Sequence, residues 1–201
     1  MMLRLCVVLL AVQLLPALSL ALDFKDCELY TEKTLAASVG PHRLIAKYDL
    51  IAVRSGKAVI YDWKTYARRP REEWLAARLQ TRVYRLMLQL AGADLNSGRP
   101  FEPADISMVY WFAEFPTAPA NFTYDEQQFN RDQAAVTTLV QEVSRLEQFS
   151  LTEDLNNCRF CVYRSFCDRG SVAGLWKDAD TDASEEAVLD LDFEQISEIE
   201  F

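Results

Sequence analysis

Two β-rich runs, residues 44–53 and 58–65, flank the tetrapeptide Arg54-Ser55-Gly56-Lys57. Ser-Gly between such runs is a two-residue hairpin signal, because a tight reversal of right-twisted strands needs positive φ at its centre. A loop that short fixes the register, and the register decides which side chains meet. Asp49 falls directly opposite Asp62. Alternation puts Lys64, Ile51, Ile60, Val53 and Ala58 on that same face, and Tyr48, Trp63, Leu50 and Tyr61 on the other.

Two carboxylates facing each other on an apolar surface repel and lose hydration. Such a pair persists when a cation neutralises it or when one acid takes a proton. A hard divalent cation such as magnesium prefers an all-oxygen setting of this kind. Lys64, one step along, is placed to hold or polarise a water beside it. Two acids, a lysine and a hard cation suffice to hydrolyse a phosphodiester: the cation stabilises charge on phosphorus and generates hydroxide, and the lysine aids both. The plainer alternative is an exposed hairpin in which Lys47 and Lys64 partly offset Asp49 and Asp62. The apolar neighbours on both strands favour the site.

The following segment supplies partners. Residues 71–91 read as one amphipathic helix, with Pro70 before it, Glu72 and Glu73 in its first turn and Gly92 as its stop. Gln80 and Tyr84 lie one turn apart in the sector of Val83 and Met87, facing the protein and within reach of the acids. Arg78, Arg82 and Arg85 form a stripe on roughly the opposite side, a solvated face. Arg68, Arg69 and Arg71, just past the second strand, are better placed to meet phosphates. Residues 27–39 read as a strand with an irregular lead-in, 107–115 as a strand buried on both faces, and 124–148 as a second long helix. The expected class is α/β, a mixed β-sheet flanked by helices.

Charge bears on the partner. The chain of 201 residues is net −9, which taken alone argues against nucleic acid. Its distribution reverses that inference. Residues 41–100 carry 12 basic and 5 acidic groups, net +7, while residues 171–201 carry 1 and 10, net −9. The acidic tail, residues 173–201, reads as a solvated, mostly disordered segment whose apolar end could dock as a strand or short helix. Lying over the basic block as a DNA mimic is a further expectation for it.

The five cysteines and the N-terminus point in different directions. Cys158-x-x-Cys161 followed by Cys167 looks like a metal or iron–sulfur motif, which needs a reducing compartment. An odd count, with three crowded together, makes a poor disulfide framework. Residues 1–22, by contrast, have a short positive start, an apolar run and the small residues Ser19-Leu20-Ala21 of a secretory signal. Asn121-Phe122-Thr123 would be a glycosylation sequon in an exported chain. The run is short for a membrane span and contains Pro16.

In order along the chain, Asp49 on one strand, Asp62-Trp63-Lys64-Thr65 on the next and Gln80-x-x-x-Tyr84 on the following helix resemble the PD-(D/E)XK nucleases of the RecB type. The downstream cysteine triplet resembles the iron–sulfur version of that family, seen in AddB-like nucleases and CRISPR-associated relatives. The resemblance covers about residues 30–170. It implies a restriction-endonuclease-like core over residues 25–150, an iron–sulfur cysteine segment over 151–172, and a metal-dependent DNA nuclease of repair, recombination or defence. Asp49 and Asp62 would ligate Mg2+ or Mn2+, with the Trp63 carbonyl as a backbone ligand. Lys64 would be the catalytic lysine, and Gln80 and Tyr84 the accessory motif. Cys158, Cys161 and Cys167, with Cys27 as candidate fourth, would hold a 4Fe–4S cluster stapling the C-terminal segment to the core. DNA is the implied partner, with a helicase or other repair subunit beside it, in the cytoplasm and without stable membrane association.

Two parts of the family pattern are not found. An upstream helix usually carries a Gly-x-x-x-His-type metal ligand, and the only histidine here, His42, sits at a strand start. A fourth cluster cysteine usually precedes that helix, and only Cys6 and Cys27 lie upstream. Both gaps fall at the hydrophobic, signal-like residues 1–24. The expectation is a chain without the family's N-terminal portion, its cluster short of a ligand and its activity open to impairment. Two other classes stand beside the nuclease: a nuclease-fold module that binds DNA or protein without cutting, and an exported disulfide or zinc protein.

Overall fold

The structure, a computed structural model, describes residues 24–148, 150–158, 161 and 163–169. The signal-like segment up to residue 23, Cys6, and the acidic tail from residue 173 lie outside the described residues. Ser55 and Gly56 take φ of 51° and 79° and turn β2 (His42–Arg54) back along β3 (Lys57–Lys64). Both central residues are thus left-handed, as the tight hairpin requires. The pairing runs from Arg54↔Lys57 to Leu50↔Tyr61, the register expected from the sequence. The ladder stops one pair short of Asp49 and Asp62.

β1 (Glu28–Val39), β4 (Ile106–Phe112) and β5 (Ala120–Thr123) complete a five-stranded sheet of order β1-β2-β3-β4-β5. β3 and β4 are parallel, and the other neighbours are antiparallel. A parallel step needs a crossover, which the helices α1 (Glu72–Ala77) and α2 (Leu79–Ala91) provide. β5 lies on the Asn121-Phe122-Thr123 triplet. At four residues it is too short for alternation to reveal it in sequence.

The pairing of β1 with β2 passes from Thr31↔Leu50 to Lys33↔Tyr48, skipping Glu32 and Asp49. Glu32 has φ of 50°, uncommon for a residue with a side chain. The inward-facing positions change parity at this level. Ile51 and Val53 face the main core, and so do Ala46 and Tyr48. This corrects the alternation read from sequence: Tyr48 does not share the far face with Trp63 but is fully buried in the core with Ile51. A skipped pair is the bulge-like device by which neighbouring residues come to lie on one side of a strand.

The main core lies between the sheet and α2, where Ile51, Ile60, Met87, Leu88, Met108 and Tyr110 have no exposed surface. Truncating Met87 or Leu88 to alanine should cost about 2–5 kcal/mol, the usual range for a sealed core position. The far face of the sheet carries a smaller cluster, Leu50, Ala52, Tyr61 and Val109, with Phe24, Cys27 and Trp63 packed against it. β4 therefore has both faces covered, as its apolar run indicates.

One expected helix is two. The backbone of Arg78, ψ 141°, breaks residues 71–91 into α1 and α2. Where an unbroken helix would bond Leu75 O to the fourth amide on, the Thr81 hydroxyl donates to it at 2.6 Å. α3 (Glu126–Arg145) opens with a capping box: Asp125 accepts from Gln128 N at 2.7 Å, and Asp125 N donates to Gln128 Oε1 at 3.1 Å. α3 packs on α2 and takes Arg82 and Arg85 out of the expected solvated arginine stripe, while Arg78 is covered by Trp74 and Tyr66. Arg78 and Arg85 are buried, and Arg82 pairs with buried Asp132 of α3 at 2.6 Å. No described helix is long and apolar enough to cross a membrane.

Candidate active site

Asp62 and Lys64 point from the end of β3 into the main core, 1 % and 7 % exposed. Both are kept there by Gln80, the second residue of α2. Its Nε2 donates to Asp62 Oδ1 at 3.0 Å, and its Oε1 accepts from Lys64 Nζ at 3.0 Å. Lys64 Nζ also lies 3.0 Å from Asp62 Oδ2. The amide thus matches its donor to the acid and its acceptor to the ammonium, which no single charged side chain could do.

Asp49 comes from the skipped pair of β2. Its Oδ2 accepts the Trp63 amide proton at 2.9 Å, so a side chain takes a donor at the level where the ladder has stopped. Tyr84 secures this part of β2 rather than the acids directly. Its hydroxyl donates to the Lys47 carbonyl at 2.7 Å, and the Tyr48 hydroxyl donates to the Tyr84 carbonyl at 2.9 Å. The two rings pack with centroids 4.8 Å apart. Of the expected accessory pair, then, Gln80 orients Asp62 and Lys64, and Tyr84 fixes the two residues before Asp49.

Tyr110 was not among the residues singled out from the sequence. It pairs with Asp62 across the parallel β3–β4 register. Its hydroxyl is hydrogen-bonded to Thr81 Oγ1 at 2.7 Å and lies 3.5 Å from Gln80 Oε1, to which it can donate. The Lys64 ammonium stands 5.3 Å from the centre of the Tyr110 ring, a cation–π contact. Only the order of β3 and β4 could have revealed this, and that pairing is non-local.

Charge in the site is arranged asymmetrically. Burial and then the nearby Asp62 push the Asp49 carboxyl up to about 7, against the opposing pull of the Trp63 amide and Lys64. Burial works against the Lys64 charge, but the Asp62 carboxylate outweighs it and holds the ammonium above the ordinary lysine range. Burial, reinforced by Asp62, raises Tyr84 and Tyr110 as well, so both hydroxyls keep their protons. At neutral pH Lys64 is therefore a cation, suited to stabilising anionic charge, while Asp49 stands near its midpoint and takes up its charge only at a cost.

That cost bears on metal binding. Asp49 and Asp62 offer hard oxygen donors whose mutual repulsion a dication would relieve. Mg2+ or Mn2+ typically takes one or two carboxylates and fills its remaining positions with water and substrate oxygen. Among the described residues, no group of three or more His, Cys, Asp and Glu side chains is arranged to hold a metal. The residues present fit a two-carboxylate site. His42 does not add to it, since its Nε2 lies 2.6 Å from Ser144 Oγ on α3.

The remaining expected residues lie elsewhere. Arg68 and Arg71 are exposed just beyond β3. Arg69 is engaged internally: its Nε donates to Ala118 O at 2.9 Å and its Nη2 pairs with Glu72 at 2.6 Å. Cys27 sits with the apolar cluster on the far face of the sheet. Cys158 is buried, with Arg169 Nη1 donating to its sulfur at 3.1 Å, and Cys161 and Cys167 are half-buried. All four are free thiols, and they do not form a convergent ligand set as placed.

A family model described as the PD-(D/E)XK nuclease superfamily matches residues 12–168. No curated protein matches the chain. Among solved structures, the crystal structure of SSO0001 is similar at a TM-score of 0.50 and 16% identity, covering 79% of this chain and 67% of that one. That likeness is one of fold, and the five-stranded mixed sheet with its helices agrees with the restriction-endonuclease-like architecture.

Proposed function

The chain belongs to the PD-(D/E)XK nuclease superfamily, and from that premise we propose that it is a metal-dependent deoxyribonuclease of the RecB type, acting in repair, recombination or defence. The observation that carries this reading is the Gln80 amide joining Asp62 to Lys64, with the raised Asp49 carboxyl beside them. Asp49 and Asp62 would hold Mg2+ or Mn2+, with the Trp63 carbonyl as a further donor. When bound, that ion supplies Lewis acidity toward phosphoryl oxygens and acidifies water. Lys64 keeps its ammonium facing the acids and stabilises the charge that grows on the phosphate. Gln80 prevents Lys64 from rotating away, and Tyr84 keeps Asp49 at its level. Arg68 and Arg71, exposed just beyond β3, would meet the phosphates of a bound strand, with Arg69 held behind them by Ala118 and Glu72.

The test is cleavage of linear double-stranded and single-stranded DNA with Mg2+ or Mn2+, compared with Lys64→Ala. The expected loss is roughly 100- to 1000-fold in kcat, the usual effect of removing one preorganised stabilising group. A variant that cuts as well as the parent removes Lys64 from the chemistry. Binding of DNA without cutting in either metal makes the chain a nuclease-fold binding module instead.

The same family reading assigns Cys158, Cys161 and Cys167, with Cys27, to a 4Fe–4S cluster. The thiols as placed do not converge, so no step of the reaction is drawn through such a cluster. Purification without oxygen decides the point. A brown protein with iron and acid-labile sulfide supports the cluster, and a colourless protein containing zinc excludes it. Whether a helicase or repair subunit accompanies the chain is answered by co-purification from its own cells.

A further inference from the structure

The buried cation beside this site, Arg78, has no part in the chemistry above. It occupies the break between α1 and α2, two residues before Gln80, and is 6 % exposed. Its guanidinium carbon lies 4.6 Å from the centre of the Trp74 ring and 5.8 Å from that of Tyr66. Its Nη1 donates to the Tyr66 hydroxyl. Tyr66 is itself two residues past Lys64 on the same segment. A planar guanidinium between two rings is a rigid spacer, because its stacking faces and its donor fork are fixed together.

The break has a geometric consequence. Arg78 N turns back to Leu75 O at 3.3 Å and closes α1, while Arg78 O accepts from Arg82 N at 3.2 Å and opens α2. Residue 78 is thus the C-cap of one helix and the N-cap of the next. Its extended ψ of 141° sets the direction in which α2 leaves, and Gln80 is in the first turn. Gln80 must place a donor and an acceptor 3.0 Å from two different groups at once. A small change in the exit direction of α2 would lose one of the two bonds.

We propose that Arg78 is a positioning residue of the active centre: clamped between Trp74 and Tyr66, it holds the α1–α2 break in the one geometry that lets Gln80 bridge Asp62 and Lys64. This rests on the reading of Asp62, Lys64 and Gln80 as the catalytic site. Arg78 acts through Gln80 and does not touch substrate.

The experiment is a double-mutant cycle on DNA cleavage, with kcat and KM measured separately, using Arg78→Met, Gln80→Ala and the pair. Tyr66→Phe, which keeps the ring and removes the hydroxyl acceptor, is the milder probe. Lys64→Ala runs in parallel, since full activity there defeats the site reading itself, whatever Arg78 does. The expected result for Arg78→Met is a fall in kcat of roughly 10- to 100-fold with KM nearly unchanged, the scale of a misplaced catalytic group. Adding Gln80→Ala should then cost little more, because both changes break the same bridge. Tyr66→Phe should show the same pattern at smaller size. If Arg78→Met does not fold, Arg78→Lys replaces it in the cycle, retaining the charge without the planar stack. Additive losses, a raised KM with kcat intact, or wild-type kinetics in a variant beside an inactive Lys64→Ala would each overturn the proposal.

Discussion

Replacing Asp49 by asparagine should stabilise the metal-free protein, and only above mildly acidic pH. The folded state raises this carboxyl from 3.8 to about 7, through burial and the charge of Asp62. Its folded value exceeds its unfolded value, so the folded chain binds the proton more tightly. Stability contributed by the protonated form is complete below about pH 4 and is lost as pH rises to about 7. Above that, the charged acid destabilises the fold by up to roughly 4 kcal/mol, at 1.36 kcal/mol for each tenfold change in acidity. Asparagine cannot ionise, and its side-chain oxygen can still accept the Trp63 amide proton. Solvent and relaxation at this half-buried position reduce the gain to about 2 kcal/mol, or about 5 °C in Tm for a chain of this size. The assay is thermal unfolding in EDTA at pH 5 and pH 8, where the gap at pH 5 should be roughly a third of that at pH 8. Adding Mg2+ at pH 8 should raise the parent and leave Asp49→Asn unmoved, since only the parent offers two acids to the ion. A variant less stable than the parent at pH 8, or a gap that ignores pH, would refute the reasoning.

Other substitutions separate structural from chemical roles. Lys64→Met in EDTA should destabilise by about 3 kcal/mol in urea unfolding, because it strips the ammonium from a buried Asp62. Asp132→Ala removes the carboxylate that Arg82 meets at 2.6 Å and Arg85 at 3.8 Å, and should cost about 3 kcal/mol in the same assay with kcat unchanged. Gly92→Ala would press a methyl group against the Leu88 carbonyl at the end of α2 and should lower Tm by several degrees, at about 2 kcal/mol.

The hairpin and its acids were legible because everything that fixes them is local. A two-residue turn sets the register, and the register sets the neighbours of Asp49, Asp62 and Lys64. Gln80 was legible as an inward residue one turn from Tyr84. What could not be read is non-local. Arg-Leu-Gln contains no helix breaker, yet the helix breaks at Arg78, because its guanidinium packs between Trp74 and Tyr66 and the Thr81 hydroxyl takes the Leu75 carbonyl. The arginines of α2 looked solvated because Asp132, which covers two of them, lies about fifty residues downstream. Tyr110 entered the site only through the pairing of β4 with β3. Strict alternation sends Tyr48 to the far face, because it takes no account of a skipped pair.

That skipped pair and the broken helix are departures of the same kind, and both fall where the site is built. A regular ladder through Glu32 and Asp49 would send Tyr48 to the far face of the sheet. It would then lose the bond to the Tyr84 carbonyl and the packing of its ring on Tyr84. Skipping one pair on both strands keeps the register unchanged on either side, from Glu28↔Val53 to Val39↔His42. The irregularity is therefore confined to one level of the sheet. At that level Asp49 is released from backbone pairing, and its carboxylate takes the Trp63 amide instead. The break at Arg78 confines its own disturbance similarly, since α1 closes and α2 opens on the same residue. Regular elements would bury more backbone bonds but could not bring an acid from β2, an acid and a lysine from β3, and an amide from α2 to one place. The local loss in regularity is what a functional site looks like when the surrounding core is strong enough to hold it.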